Sequence, residues 1–254
     1  MALTPGEWHR RFQQQARWTH DLRRYLFEHV GVSDLGSILS VGCGTGAILQ
    51  ELVAQDSGGA QRFFGLDINQ KFLDLAQENI PLARLTCGDA HQLPYPGASF
   101  DLSLCHFLLL WVADPIQVLA EMRRVTRPGH AVMALAEPDY GGRIDFPYEL
   151  EQLGEWQQAA LSSQGADLQI GRQLSGLFCR AGLIDVESGV LGGQWSGQPE
   201  QGAWESEWAM LRSDLAGSVP TAQLDSLQAQ DQRAWQHGER VLYVPTFYAW
   251  GKVP

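Results

Sequence analysis

Apolar positions near the start of the chain recur at Trp8, Phe12, Trp18, Leu22, Tyr25, Leu26 and Val30. That three-to-four-residue spacing predicts one or two amphipathic helices between Thr4 and Val30. From Ile38 the pattern changes to short apolar runs alternating with helical stretches, the mark of β/α units around a mostly parallel sheet. Strands are expected at Ser37–Val41, Arg62–Leu66, Ala83–Cys87, Phe100–Cys105 and Ala131–Ala136, each apolar enough to be buried on both faces. Helices are expected at Gly46–Gln55, Gln70–Asn79 and Pro115–Thr126. Loops are expected at Leu93-Pro94-Tyr95-Pro96-Gly97 and Arg127-Pro128-Gly129.

Beyond Glu137 the texture shifts. Asp139–Ile144 is rich in turn formers, Tyr148–Ser162 and Gly171–Ala181 read as helices, and Val186–Leu191 reads as a strand. Pro199–Gln236 has helical spacing, and Arg240–Trp250 closes the chain with strand-like Val, Tyr and Phe content.

Composition narrows the function classes. A chain of 254 residues with 44% hydrophobic and 19% charged residues is expected to fold as a globular unit with a sizeable core. Its formal charge of −11 repels phosphate backbones and anionic membrane surfaces, so no nucleic-acid partner is expected. The basic residues His9, Arg10, Arg11, Arg17, Arg23 and Arg24 read as the solvated face of an N-terminal helix. Cys43, Cys87, Cys105 and Cys179 lack C-x-x-C spacing, which points to a reducing, cytoplasmic setting and away from zinc. Neither a secretory leader nor a membrane span is apparent at the level of sequence.

The chemistry gathers at strand ends. Gly42-Cys43-Gly44-Thr45-Gly46 leaves the first strand and enters a helix, a turn that admits a nucleotide-like ligand close to the backbone. A tight turn without a ligand is the alternative. Asp67 ends the apolar strand Phe63-Phe64-Gly65-Leu66, 21 residues after Gly46, where a carboxylate is placed to hold ribose hydroxyls or to cap the following helix. Gly88-Asp89-Ala90 puts a second carboxylate after the third strand, suited to an adenine amine. A nicotinamide-dinucleotide site stays open, since Ala47 stands where that fingerprint has its third glycine and alanine is tolerated there.

Leu39–Gly46, Gly65-Leu66-Asp67, Gly88-Asp89-Ala90, Phe100-Asp101 and Arg127-Pro128-Gly129 together resemble the ordered motifs of class I S-adenosylmethionine-dependent methyltransferases. The resemblance covers residues 37–137 and is nearest in flavour to the small-molecule group that includes the ubiquinone/menaquinone C-methyltransferases. It implies an α/β, Rossmann-like, seven-stranded sheet, with all strands but the last parallel and helices on both faces. Arg240–Trp250 would be the final strand. Residues 1–36 would form a helical lid, 37–137 the cofactor-binding core, and 138–254 the substrate-side helices and C-terminal strands of the same domain.

The implied cofactor is S-adenosylmethionine, leaving as S-adenosylhomocysteine. By resemblance Gly42, Cys43, Gly44 and Gly46 line its methionine and ribose portions, Asp67 binds ribose, Ile68 packs on adenine, and Asp89 with Ala90 reaches the adenine edge. Ser40 stands where the family often has an acid. The methyl donor would lie against the end of the fourth strand at Cys105 and His106. His106 is the candidate general base, with a backbone-bonded histidine as the alternative. Arg17 is a candidate for the cofactor carboxylate, and Trp18, Glu137 and Tyr140 for substrate contact. Trp195, Trp204, Trp208 and Trp235 suggest an apolar chamber, a homodimer surface or plain core. No metal is expected, because Asp114, Glu137 and Asp139 form no recognisable ligand set. The expected reaction is methyl transfer to an O, N or C atom of a small, hydrophobic molecule. A non-methylating binding or scaffold protein on the same fold and a nicotinamide-dependent oxidoreductase are the alternatives.

Overall fold

The computed structural model describes residues 3–56, 59, 61–192 and 202–254. Helix α1 (Pro5–Trp18) starts at Thr4, whose side chain takes the Glu7 N–H while the Glu7 carboxylate takes the Thr4 N–H at 2.7 Å. This reciprocal cap, with Pro5 in the first turn, fixes where the helix begins. Thr19 breaks the run, and α2 (His20–Val30) follows, ending on Gly31 in the left-handed conformation.

The remaining elements run β1 (Ser37–Val41), α3 (Ala47–Gln55), β2 (Arg62–Asp67), α4 (Gln70–Asn79), β3 (Arg84–Cys87), β4 (Phe100–Cys105), α5 (Pro115–Val125) and β5 (Thr126–Pro138). They continue with β6 (Ile144–Phe146), α6 (Glu151–Ser163), α7 (Ile170–Arg180), β7 (Ile184–Leu191), α8 (Ala203–Asp214), α9 (Thr221–His237), β8 (Val241–Tyr243) and β9 (Thr246–Lys252). Seven strands form the main sheet in the order β3-β2-β1-β4-β5-β9-β7. β1 to β5 are parallel, and β9 runs antiparallel to both β5 and β7, so it alone is reversed. The expected topology is therefore present. Chain order reverses between β1 and β4, the crevice where open α/β sheets bind ligands.

Side chains alternate across the sheet as the pleat requires. Leu39, Val41, Val132 and Ala134 face the layer of α5 and α7. Ile38, Ala131, Met133 and Leu135 face the layer of α2 and α3. A third core gathers Leu150, Leu153, Trp208, Leu211, Leu224 and Leu227 from the C-terminal helices.

Four local expectations are corrected. β3 is an edge strand with exposed or half-buried residues throughout, because only β2 pairs with it. Arg127-Pro128-Gly129 belongs to β5, drawn in through an irregular register between Phe100 and Leu102. Arg240–Trp250 is broken at Val244-Pro245 into β8, which pairs with the unanticipated β6 in a small second sheet, and β9. The basic N-terminal face is not uniformly solvated: Arg11 and Arg23 are buried and paired with Glu207 and Glu51, while Arg10, Arg17 and Arg24 are exposed.

Candidate active site

The glycine loop leaves β1 with Gly42, Gly44 and Gly46 all at positive φ, a path that β-carbons oppose. The loop is also covered. A Cβ at Gly42 would lie 2.6 Å from Leu108, and one at Gly44 would lie 2.9 Å from the Phe12 ring. His9 reaches Thr45 Oγ1 at 2.8 Å, and Trp8 and Phe12 pack on Phe72 of α4. One face of α1 thus spans the loop and α4.

Asp67 stands at the end of β2 and ties the cradle together. Its Oδ2 accepts the Gly44 N–H at 2.8 Å and its Oδ1 the Asn69 N–H at 2.9 Å. Burial pushes its carboxyl up, and the backbone donors at Asn69, Gly44 and Ile68 pull it back. Helix α4 is capped by Asn69 rather than Asp67, since the Asn69 side chain accepts the Lys71 N–H. Asp67 is therefore free of the capping role.

Ile68, next in the chain, is 74% exposed, an apolar face standing beside the cradle without a protein cover. Asp89 is largely exposed and accepts from His91 N–H and Nδ1 at 2.9 and 2.7 Å, which holds its carboxyl below the usual range. Ala90 is buried behind it. Cys43 is half-buried on the loop, its thiol pushed up by burial and by the Asp67 charge. Ser40 is buried within β1.

Cys105 does not open into the cleft. Its side chain is fully buried in the sheet core, and burial with nearby Glu137 pushes the thiol well up. His106 turns toward the junction of α1 and α2, where Nε2 meets Thr19 Oγ1 at 2.9 Å. Burial and the Arg23 guanidinium push its pKa down to about 3, so the imidazole is neutral. The catalytic expectation had it facing substrate, but its ring nitrogen is engaged on the lid side of the sheet.

Glu137 is likewise corrected as a substrate contact. Fully buried at the end of β5, it accepts the backbone N–H groups of Leu108, Leu109 and Leu110 at 2.9, 2.9 and 3.2 Å. Burial pushes its pKa up to about 7 against these donors. The carboxylate thereby fixes the turn after β4, in which Phe107 adopts a positive φ of 52°, a backbone state that bulky side chains rarely hold without such support. Phe107 itself faces outward into a chamber.

That chamber has a volume of about 500 Å³ and lies between α1, the turn after β4, the end of β5 and the helices α6, α8 and α9. Trp18 and Tyr140 line it, with Trp111, Trp204, Trp208 and Trp235. Trp208 is also core, at 2% exposed. The indole N–H groups of Trp204 and Trp208 both donate to Asp231 Oδ2, which fixes the rings. Arg11 lies 4.8 Å from the Trp18 ring centre. Trp195 lies outside the described residues. Arg17 is exposed at the end of α1, and Asp139 forms a turn, accepting the Gly141 N–H and pairing with Arg172. Among the described residues no group of three or more His, Cys, Asp or Glu side chains is arranged to hold a metal ion.

Several participants escaped the sequence reading. Phe12 was visible only as one apolar position among many, although its spacing from Trp8 signals a shared helix face. Nothing in the sequence singles out Asp231, whose indole partners lie on α8 and whose ion-pair partner Arg240 precedes β8.

The family described as a methyltransferase domain matches residues 39–134. An uncharacterized 37.1 kDa protein in transposon TN4556 of Streptomyces fradiae is 37% identical over 151 residues, covering 58% of this chain and 43% of that protein. The chain therefore spans less than half of that relative's length. A demethylmenaquinone methyltransferase of Lysinibacillus sphaericus (strain C3-41) is 30% identical over 191 residues, covering 69% of this chain and 80% of the relative. Among solved structures, geranyl diphosphate C-methyltransferase from Streptomyces coelicolor A3(2), in complex with Mg2+, geranyl-S-thiolodiphosphate and S-adenosyl-L-homocysteine, is similar with a TM-score of 0.59 at 13% identity. That likeness covers 92% of this chain and 76% of the other, and it is one of fold.

Proposed function

This chain belongs to the class I S-adenosylmethionine-dependent methyltransferases, and from that premise we propose that it methylates an O, N or C atom of a small molecule with an apolar body. Membership removes the nicotinamide-dependent oxidoreductase alternative. The observation that carries the proposal is the continuity of two sites through α1: Phe12 covers Gly44 of the cradle and also lines the chamber.

The donor set fits the cofactor. Gly42, Gly44 and Gly46 leave the loop without β-carbons, and Asp67 keeps lone pairs for ribose hydroxyls after accepting its two backbone N–H groups. Ile68 offers the apolar face for adenine, with Asp89 and Ala90 at its edge and Cys43 on the loop wall. When bound, S-adenosylmethionine supplies an electrophilic methyl group on a sulfonium. The chain's own contribution is positioning and exclusion of water by Phe12, Phe107, Trp111 and Tyr140. His106 acts as a positioning residue, holding the α1–α2 junction through Thr19 rather than taking a proton. The four free cysteines support a reducing, cytoplasmic setting. No nucleic acid takes part in this reading, and a homodimer remains the oligomer to test by light scattering.

Calorimetry with S-adenosylhomocysteine tests the cofactor site. Saturable binding is expected, weakened at least about tenfold by Asp67→Ala through the loss of charge-assisted hydrogen bonds. No heat of binding at millimolar concentration overturns it. The engaged state of His106 also favours a second reading, a protein that binds the cofactor without transferring its methyl group. Binding without turnover across a broad acceptor panel selects that one.

A further inference from the structure

The charges facing the chamber are equal in number but not evenly paired, because Asp145 behind the wall engages two of the guanidiniums. Its charged lining residues are Arg11, Arg143, Glu207, Asp214, Asp231 and Arg240. Arg11 pairs with Glu207, Arg143 with Asp145, and Arg240 with both Asp145 and Asp231. Each guanidinium is thereby committed to a carboxylate. Asp214, at the end of α8, has no ion-pair partner among the described residues, and burial pushes its carboxyl up while Gln157, Arg11 and Gln164 draw it back. Gln157 lines the chamber too, its Oε1 accepting from Arg143 at 2.6 Å.

A half-buried carboxylate without a counter-ion is costly in a chamber walled by aromatic rings. Burial pushes the Asp214 carboxyl up for that reason. The charges that act on it include Arg11 from α1 and Glu207 from its own helix, and the half-buried Tyr140 phenol feels the same Arg11, Glu207, Arg143 and Asp214 charges. Tyr140 lines the same chamber as Asp214. Trp111 and Trp204 also line the chamber, and aromatic rings attract cations, as the Arg11 guanidinium over the Trp18 ring illustrates.

We propose that the chamber selects an organic ammonium ion with an aromatic or aliphatic body, its charge held by Asp214 and its body by the surrounding tryptophans. An anionic ligand would have to displace a carboxylate already paired with Arg11, Arg143 or Arg240. A neutral ring would leave Asp214 buried against apolar surface. The protein's overall charge of −11 favours the same ligand at long range. The inference rests on the methyltransferase reading for what becomes of the bound amine, while the charge preference belongs to the chamber itself.

Tryptophan fluorescence reads the preference directly, using phenethylamine, phenethyl alcohol and phenylpropionate as probes of one body with three charges. Titrations are run on the full chain, with and without S-adenosylhomocysteine. The amine is expected to bind at least about tenfold more tightly than the alcohol, with the acid weakest. Asp214→Asn is expected to bring amine and alcohol to similar affinities, and Asp225→Asn, at an exposed position of α9, to leave the order unchanged. Equal or tighter binding of the alcohol, preference for the acid, or no saturable quenching by the amine overturns the proposal. The wild-type order decides even where Asp214→Asn fails to fold. A chamber that prefers the amine in a protein blind to S-adenosylhomocysteine would retain this inference and sink the methyltransferase reading; the converse result would do the opposite.

Discussion

At the residue scale, two buried titratable groups pull stability in opposite directions with pH. His106 has its pKa pushed down to about 3 by burial and Arg23, so the folded protein resists a proton that the unfolded chain accepts near the ordinary value. Its stabilising contribution is present above about 6.5 and is lost as the pH falls toward 3. Glu137, pushed up to about 7 by burial, holds its proton more tightly folded than unfolded. Its contribution is present below about 4.5 and is lost as the pH rises through 7. Urea unfolding of His106→Gln from pH 7 down to 4 is expected to remove an acid-side loss on the order of a few kcal/mol. Turnover gives the sharper check: the wild-type pH profile is expected to lack a limb near 6.5 due to His106. A limb there that disappears in His106→Gln would restore the catalytic base. Asp101 shows what a motif alone conceals. Phe100-Asp101 and Arg127 were legible as family landmarks, but their work appears only in the fold. Asp101 takes the N–H groups of Gly36 and Ser37 and pairs with Arg127, joining the starts of β1, β4 and β5.

At the element scale, the close approach of α1 to the glycine loop makes the two interdependent. Gly44→Ala must hold an alanine at φ +53°, with its Cβ 2.9 Å from Phe12, and the left-handed backbone alone costs about 1–2 kcal/mol. Weaker S-adenosylhomocysteine binding is expected, by roughly tenfold or more. Phe12→Ala in the same chain is expected to recover only the part due to the clash, leaving the backbone cost. A double-mutant cycle by calorimetry measures the shared part, expected to exceed about 0.5 kcal/mol; strict additivity would separate helix from loop. The parallel strands and their helices were readable because β-runs and helical stripes differ in period. β6 was not, since three residues carry no measurable period, and Pro245 divides a run whose composition is continuous. Arg11 and Arg23 are buried against a solvated expectation because composition does not reveal that Glu207 and Glu51, distant in sequence, meet them inside.

At the scale of the whole molecule, the main sheet and the C-terminal helices have separate cores, and buried charge ties the small second sheet to α9. Asp145 on β6 sits between Arg143 and Arg240 at 2.5 and 2.7 Å, and Arg240 also reaches Asp231 of α9 at 2.6 Å. All four side chains are nearly inaccessible to solvent. Asp231 in turn holds the chamber's Trp204 and Trp208. Asp145→Ala strips two buried guanidiniums of their common partner, a loss of about 3–5 kcal/mol in buried pairs. The damage should fall unevenly. Asp145 belongs to the small sheet packed on α6, whereas the glycine loop and Asp67 are fastened to the main sheet by their own bonds. Hydrogen exchange is therefore expected to quicken in α6, α8 and α9 well before β1 and β4. Phenethylamine affinity should fall while S-adenosylhomocysteine affinity stays within about twofold. Uniform acceleration across both regions would mean that the two cores unfold as one cooperative unit, and that the chamber cannot be loosened without the cradle.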